Sequence, residues 1–193
     1  TSVDCVPRGN WAYSASAAFK SPERLIHNLV DRVSKNGQLL LNVGPRADGT
    51  IPEGAQRVLK KMGEWLRING DAIYDTRPWY TAGEGPTKSA VDMSHGGHFN
   101  ETGEPRYCAH DIRFTTAENA IYATCLGIPG DEVFINAFKG RVSPDEIKQV
   151  TMLGVEPPLT WRHDRDEGLI IDAPVKMPSE YANTFKIEMT PGQ

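Results

Sequence analysis

The stretch Lys35-Asn-Gly-Gln-Leu-Leu-Leu-Asn-Val-Gly-Pro-Arg-Ala-Asp-Gly49 decides the fold of this chain. Leu39, Leu40, Leu41 and Val43 follow Asn36-Gly37 and precede Gly44-Pro45, the pattern of a short strand buried on both faces, as in parallel α/β sheets. The run is too short for a helix. A buried amide must be hydrogen-bonded, so Asn42 either locks the strand end to its neighbours or points at something bound there.

Helices flank this strand. Before it, Ser21-Pro22-Glu23 supplies an N-cap serine, a proline in the first turn and an acidic residue near the positive helix end. Leu25, Ile26, Leu29, Val30 and Val33 then keep helical spacing on one face, and Asn36-Gly37 gives the stop. After the strand, Pro52 opens a second helix with an apolar face of Ala55, Val58, Leu59, Met62, Trp65 and Leu66, closed by Asn69-Gly70. Helix, buried strand, helix is a slice of an α/β fold.

Farther on the period changes. From Tyr80 to Pro105 polar residues and glycine replace the apolar periodicity, with Gly96-Gly97 at the centre, which predicts a loop or linker. Beyond it, Ile112 and Phe114, Ile121–Leu126, Val133–Ile135, Val150 and Met152, Leu169–Ile171, and Phe185, Ile187 and Met189 read as short strands separated by turns. These predict a small antiparallel β-sandwich. The division is residues 1–80, an α/β part; 81–105, a linker or loop; and 106–193, the sandwich.

The totals exclude some functions. A net charge of -4 with mixed signs along the chain gives no basic stripe for nucleic acid, and no apolar run reaches bilayer-spanning length. Cys5, Cys108 and Cys125 are an odd number, without a CxxC pair or zinc-type spacing, and read as thiols. Thr1-Ser-Val-Asp4 lacks an initiating methionine and a signal-like segment, so the reading places an internal cut at Thr1 and a longer protein upstream.

Few residues carry a chemical signal. Asp92, His95 and His98 lie close in sequence, but His-Gly-Gly-His spacing in a glycine-rich loop is a weak metal signature and reads as a solvated loop. His163-Asp164-Arg165-Asp166 reads as a charged hairpin turn. No GxSxG, phosphate-cradling glycine loop or HExxH is present. Asn10-Trp11-Ala12-Tyr13 places two aromatics before the first helix, either a flat apolar wall for a sugar ring or a plug in the packing. Trp65 and Trp161 read as core, as do most of Phe114, Tyr122, Phe134, Phe138 and Phe185.

In order along the chain stand Asn10-Trp11-Ala12-Tyr13, Leu25-Ile26 with Leu29-Val30, and Val33 through Pro45 with Asp48-Gly49. Gly63-Glu64-Trp65-Leu66, Asn69 through Tyr74, Arg77-Pro78-Trp79 and Glu84-Gly85-Pro86 follow. Together these resemble the C-terminal part of family 29 α-L-fucosidases. Leu153-Gly154 and Leu159-Thr160-Trp161 extend the likeness, less specifically, into the β-rich remainder.

The resemblance implies the C-terminal slice of a (β/α)8-like barrel followed by an antiparallel β-sandwich, in an enzyme that hydrolyses terminal α-L-fucose with retention and needs no cofactor. It implies a fucosylated glycan as substrate, the missing N-terminal barrel segment in the same or another chain as partner, and a secreted, periplasmic or lysosomal-like compartment. It also implies that the nucleophilic aspartate and the acid/base glutamate lie upstream of Thr1, Asp4 being the only carboxylate in the right neighbourhood. Trp11 is carried over as the aromatic against the fucose ring. Ala12 stands where the family more often has glycine, and Cys5-Val6-Pro7-Arg8-Gly9 departs from the commoner loop. From a different class, the competing expectation is a non-catalytic carbohydrate-binding or structural module built on the sandwich.

Overall fold

A strand that the periodicity does not announce opens the computed structural model, which describes residues 2–9, 11–87 and 105–190. This is β1 (Ser2–Cys5), followed by α1 (Pro22–Ser34), β2 (Leu39–Asn42) and α2 (Glu53–Asn69). β1 and β2 pair in parallel, Asp4 opposite Leu41 and Cys5 opposite Asn42, with α1 as the crossover.

The helix signals are realised as read. Ser21 Oγ accepts the Arg24 N–H at 3.2 Å, and Gly37 N donates back to the Arg32 carbonyl at 2.7 Å after Asn36 turns through a φ of 60°. Leu25, Ile26 and Val30 of α1 meet Ala55, Val58, Met62 and Trp65 of α2 in one buried cluster, which Val6 joins from the end of β1.

The expectation of a strand buried on both faces is corrected. Leu41 and Val43 pack against the helical cluster, whereas Leu40 is 59% exposed. Alternation along a strand sends neighbours to opposite faces, and among the described residues the helices cover only one face of the two-stranded sheet.

The second half forms two antiparallel sheets. β3 (Arg77–Glu84), β4 (Ile112–Ala117), β5 (Ala120–Cys125), β6 (Glu132–Ile135), β7 (Ile147–Met152), β8 (Trp161–Asp164), β9 (Gly168–Asp172) and β10 (Asn183–Met189) follow in chain order. One sheet has the order β3-β4-β5-β10-β7 and the other β6-β9-β8. Between them lies the larger core, with Phe114, Phe185 and Ile187 from the first sheet meeting Ile135, Leu169 and Ile171 from the second. Trp161 packs partly buried against it.

Two readings of this half are also corrected. Residues 81–84 do not begin a linker but complete β3, whose Pro78 and Gly83 flank a register shift. β3 is an edge strand, where proline and a bulge are tolerated. Phe134 is not core: it is 40% exposed, because β6 turns Val133 and Ile135 inward and Phe134 outward. The Asp92, His95 and His98 loop lies outside the described residues.

The five-stranded sheet is the middle of three layers. Its inner face builds the sandwich core, and its outer face carries the helices. The Arg113 guanidinium pairs with Asp31 of α1 at 2.7 Å, Thr115 Oγ1 donates to the Ala72 carbonyl at 2.8 Å, and Trp65 Nε1 donates to the Ala182 carbonyl at 2.9 Å. Covering both faces explains why β5 is buried at every position instead of alternating.

Candidate functional site

Beyond the C-terminal ends of β1 and β2 runs a loop that carries two exposed aromatics. Val6 N continues the pairing by donating to the Asn42 carbonyl at 2.9 Å. The loop beyond Val6 closes at its base through a bridge between Pro7 and Phe19 and through Lys20 N to the Val6 carbonyl at 2.9 Å. Inside this closed loop sit Trp11 and Tyr13, 45% and 40% exposed.

Asn42 resolves between its two readings. Its Nδ2 donates to the Trp11 carbonyl at 2.6 Å, so the amide is a lock, and what it locks is the exposed aromatic loop. Gly44 helps: its φ is +59°, and a side chain there would meet Pro7 and the backbone of Trp11 and Ala12 at 3.3 to 3.5 Å. The strand end thus passes directly beneath the loop. Tyr13 is braced separately, by the Arg46 guanidinium 5.6 Å from its ring centroid. Arg46 Nη1 donates to Thr50 Oγ1 at 3.3 Å, and Asp48 Oδ1 accepts both the Thr50 N–H at 2.9 Å and its hydroxyl at 2.7 Å. The Thr50 bonds hold the exposed Asp48 carboxyl below its usual range.

Asp4, the nearest carboxylate in sequence, is fully engaged. Lys20 Nζ donates to Oδ1 at 2.5 Å, Cys5 N to the same oxygen at 2.8 Å, and Asn28 Nδ2 to Oδ2 at 2.7 Å. Burial alone would raise its pKa, but the Lys20 bond, the Cys5 amide and Asn28 outweigh it and hold the carboxyl below the ordinary value. A group fixed as an anion by three donors ties β1 to α1; it does not exchange protons with a substrate near neutral pH. Neither Lys20 nor Asn28 stands out by local pattern, and only the folded chain shows them as its partners.

The remaining candidates resolve into scaffold. Asp164 Oδ1 accepts the Asp166 and Glu167 amides at 2.7 and 2.9 Å, closing the β8–β9 hairpin as read. Both ring nitrogens of His163 are buried without a hydrogen-bond partner. Burial pushes the Cys125 thiol up to about 12, which makes it inert. Glu84 accepts the Asn136 and Ala137 amides at 2.9 and 2.6 Å; burial dominates and raises its pKa. Among the described residues no three His, Cys, Asp or Glu side chains gather to hold a metal.

Comparison with known proteins gives the site its context. Residues 2–71 match the family described as alpha-L-fucosidase, and residues 106–188 match the alpha-L-fucosidase C-terminal domain. The tissue alpha-L-fucosidases of Rattus norvegicus and Homo sapiens are 32% and 31% identical to the chain, over 97% of its length. The chain spans about a third of these relatives, 34% and 36%. Among solved structures, Thermotoga maritima alpha-fucosidase in complex with fucose superposes with a TM-score of 0.72 at 29% identity, covering 96% of this chain and 38% of that one.

Proposed function

The chain belongs to the α-L-fucosidase family, and from that premise we propose that it forms the closing part of the catalytic barrel and the C-terminal sandwich of a retaining α-L-fucosidase. The observation that carries this is the exposed Trp11, pinned by Asn42 at the C-terminal ends of two parallel strands, the end at which barrel enzymes build their sites. Among the described residues Leu40 lies on an open face and β1 and β2 pair only with each other, which suits a sheet continued by further barrel strands.

In this reading Trp11 lies against the apolar C–H face of fucose. One carboxylate attacks the anomeric carbon while a carboxylic acid protonates the departing glycosidic oxygen, so that the C–O bond breaks and a fucosyl ester forms. The second group, now a base, takes a proton from water, which displaces the ester and regenerates the nucleophile. In retaining enzymes the two carboxyl groups stand about 5 to 5.5 Å apart. Neither role suits Asp4, held as an anion by Lys20, Cys5 and Asn28, or Asp48, tied to its own turn by Thr50. Both catalytic carboxylates are assigned to the roughly two thirds of the relatives' length that this chain does not span.

Hydrolysis of an aryl α-L-fucoside tests the proposal. The full-length protein is expected to turn it over and the 193-residue chain alone is not. Turnover by the isolated chain would overturn the assignment of the carboxylates, and an inactive full-length protein would overturn the activity itself.

A further inference from the structure

Trp11 shares its loop with a second exposed aromatic, to which the fucose contact assigns no task. Tyr13 is 40% exposed and belongs to none of the core clusters among the described residues. Two steps of chain span at most about 7 Å, so the Cα atoms of the two aromatics stand no farther apart than that. The spacing is comparable to that of neighbouring rings in a glycan.

Different parts of the chain hold the two residues. Asn42, the last residue of β2, fixes the Trp11 carbonyl at 2.6 Å and so seats that residue at the strand end. Tyr13 rests instead on the turn that leaves β2, with the Arg46 guanidinium 5.6 Å from its ring centroid. Arg46 N to the Thr50 carbonyl and Gly49 N to the Arg46 carbonyl, both at 2.9 Å, close this turn, and Arg46 Nη1 to Thr50 Oγ1 at 3.3 Å aims the guanidinium. On the other side of Tyr13, Ala17 N donates to the Ser14 carbonyl at 3.2 Å and turns the chain back toward α1. A ring set in place before the ligand arrives lowers the ordering cost of binding.

A cation over one face of a tyrosine ring leaves the opposite face for a second contact. That face is flat and largely apolar, and it suits the C–H side of a pyranose. Position decides which pyranose. Trp11 stands at the strand end, where barrel enzymes do their chemistry, and Tyr13 is anchored beyond it, on the turn. A sugar against Tyr13 is therefore the neighbour of the sugar against Trp11.

We propose that Tyr13, backed by Arg46, is the platform for the sugar from which fucose is released, and so determines specificity on the leaving-group side of the cleaved bond. This role rests on the fucosidase reading, with Trp11 as the fucose contact. The enzyme then favours fucose carried on a saccharide ring over fucose carried on a small alcohol, because only the ring reaches Tyr13.

The kcat/KM of the full-length protein tests this on two kinds of substrate. One is methyl α-L-fucoside; the other is a panel of methyl galactosides and methyl N-acetylglucosaminides carrying α-L-fucose at one of their hydroxyls. Both kinds release an alcohol whose oxygen must be protonated, so damage to the acid catalyst lowers both, and the saccharide ring is what differs. The wild type is expected to prefer its best disaccharide to the methyl fucoside by at least about tenfold. Tyr13→Ala is expected to lower that ratio about tenfold and Arg46→Gln about threefold, while Tyr13→Phe, which keeps the ring, holds it within about twofold of wild type. No preference for any disaccharide in the wild type, an equal fall on both kinds of substrate in Tyr13→Ala, an unmoved ratio there, or a Phe variant as impaired as the Ala variant would overturn the platform. An unmoved ratio in Arg46→Gln would remove Arg46 from it. Aryl fucoside turnover by the wild type separates the two failures: where it is present the platform alone falls, and where it is absent the fucosidase reading falls and takes the platform with it.

Discussion

The sandwich and the α/β layer solve the same problem in opposite ways. In the sandwich two sheets cover each other, and Phe114, Phe138, Phe185, Leu169 and Ile171 are completely buried between them. In the α/β layer two helices cover one face of a two-stranded sheet, and Leu40 is left 59% exposed on the other. The sandwich has its core between its sheets; the α/β layer has its core between α1 and α2, is held from behind by Arg113, Thr115 and the Ala182 carbonyl, and among the described residues leaves the Leu40 face open. The contrast teaches where to look for chemistry. The α/β layer presents Trp11 and Tyr13 side by side on one loop, and the sandwich supports that layer from behind.

Substitutions on the two sides of that contrast differ in expected cost. The largest loss is expected in the closed core: Phe185→Ala should cost about 3–5 kcal/mol in chemical denaturation, because rigid sheets on both sides cannot collapse onto the cavity. Asp31→Ala attacks the joint between the layers and should cost about 2–3 kcal/mol, since it strands the buried Arg113 guanidinium. Burial pushes Asp31 up, but Lys35 and Arg113 outweigh it and depress its pKa. Its contribution is therefore complete above the unfolded value of about 3.9 and is lost as pH falls below that, which a stability-against-pH curve of wild type and variant should show.

His27 gives a smaller effect on the same joint. Its folded pKa is depressed by burial, so the unfolded chain takes up the proton first and stability falls as pH drops below about 6.5. His27→Gln should flatten that slope, and an unchanged slope would remove His27 from the explanation. Smallest of all is Leu40→Ser in the 193-residue chain, expected within about 0.5 kcal/mol because the side chain is already in water. In the full-length protein the same change should cost about 1–2 kcal/mol if further barrel strands cover that face. Equal costs in both would mean that the face stays open.

Much of this architecture was legible before folding, and the illegible parts share a cause. α1 and α2 announce themselves through Ser21, Pro22, Pro52 and a single apolar stripe each, because helices are set by contacts local in sequence. β1 does not: Ser2–Cys5 is four residues long, contains Asp4, and becomes a strand only through its pairing with β2. β3 contains Pro78 and Gly83 and runs into the stretch that reads as a linker, and its proline is tolerated because the strand lies at an edge. Phe134 reads as core from its place in an apolar-periodic run and Leu40 as buried from the short apolar run, and exposure depends on which face a neighbouring layer happens to cover. At the site, Trp11 was visible as an exposed-aromatic candidate and Asn42 as a buried amide with an unknown partner. That each is the other's partner could not be read from spacing, since a loop and a strand end meet only in three dimensions.

The role proposed for Trp11, held by Asn42 on the open layer, is to bind the sugar that is cleaved. Its direct test is kcat/KM of the full-length Trp11→Ala protein on an aryl α-L-fucoside, beside the melting temperature. A fall of about ten- to hundredfold is expected with the melting temperature unmoved, since the residue is 45% exposed and belongs to no core cluster. A kcat/KM within about twofold of wild type would contradict it.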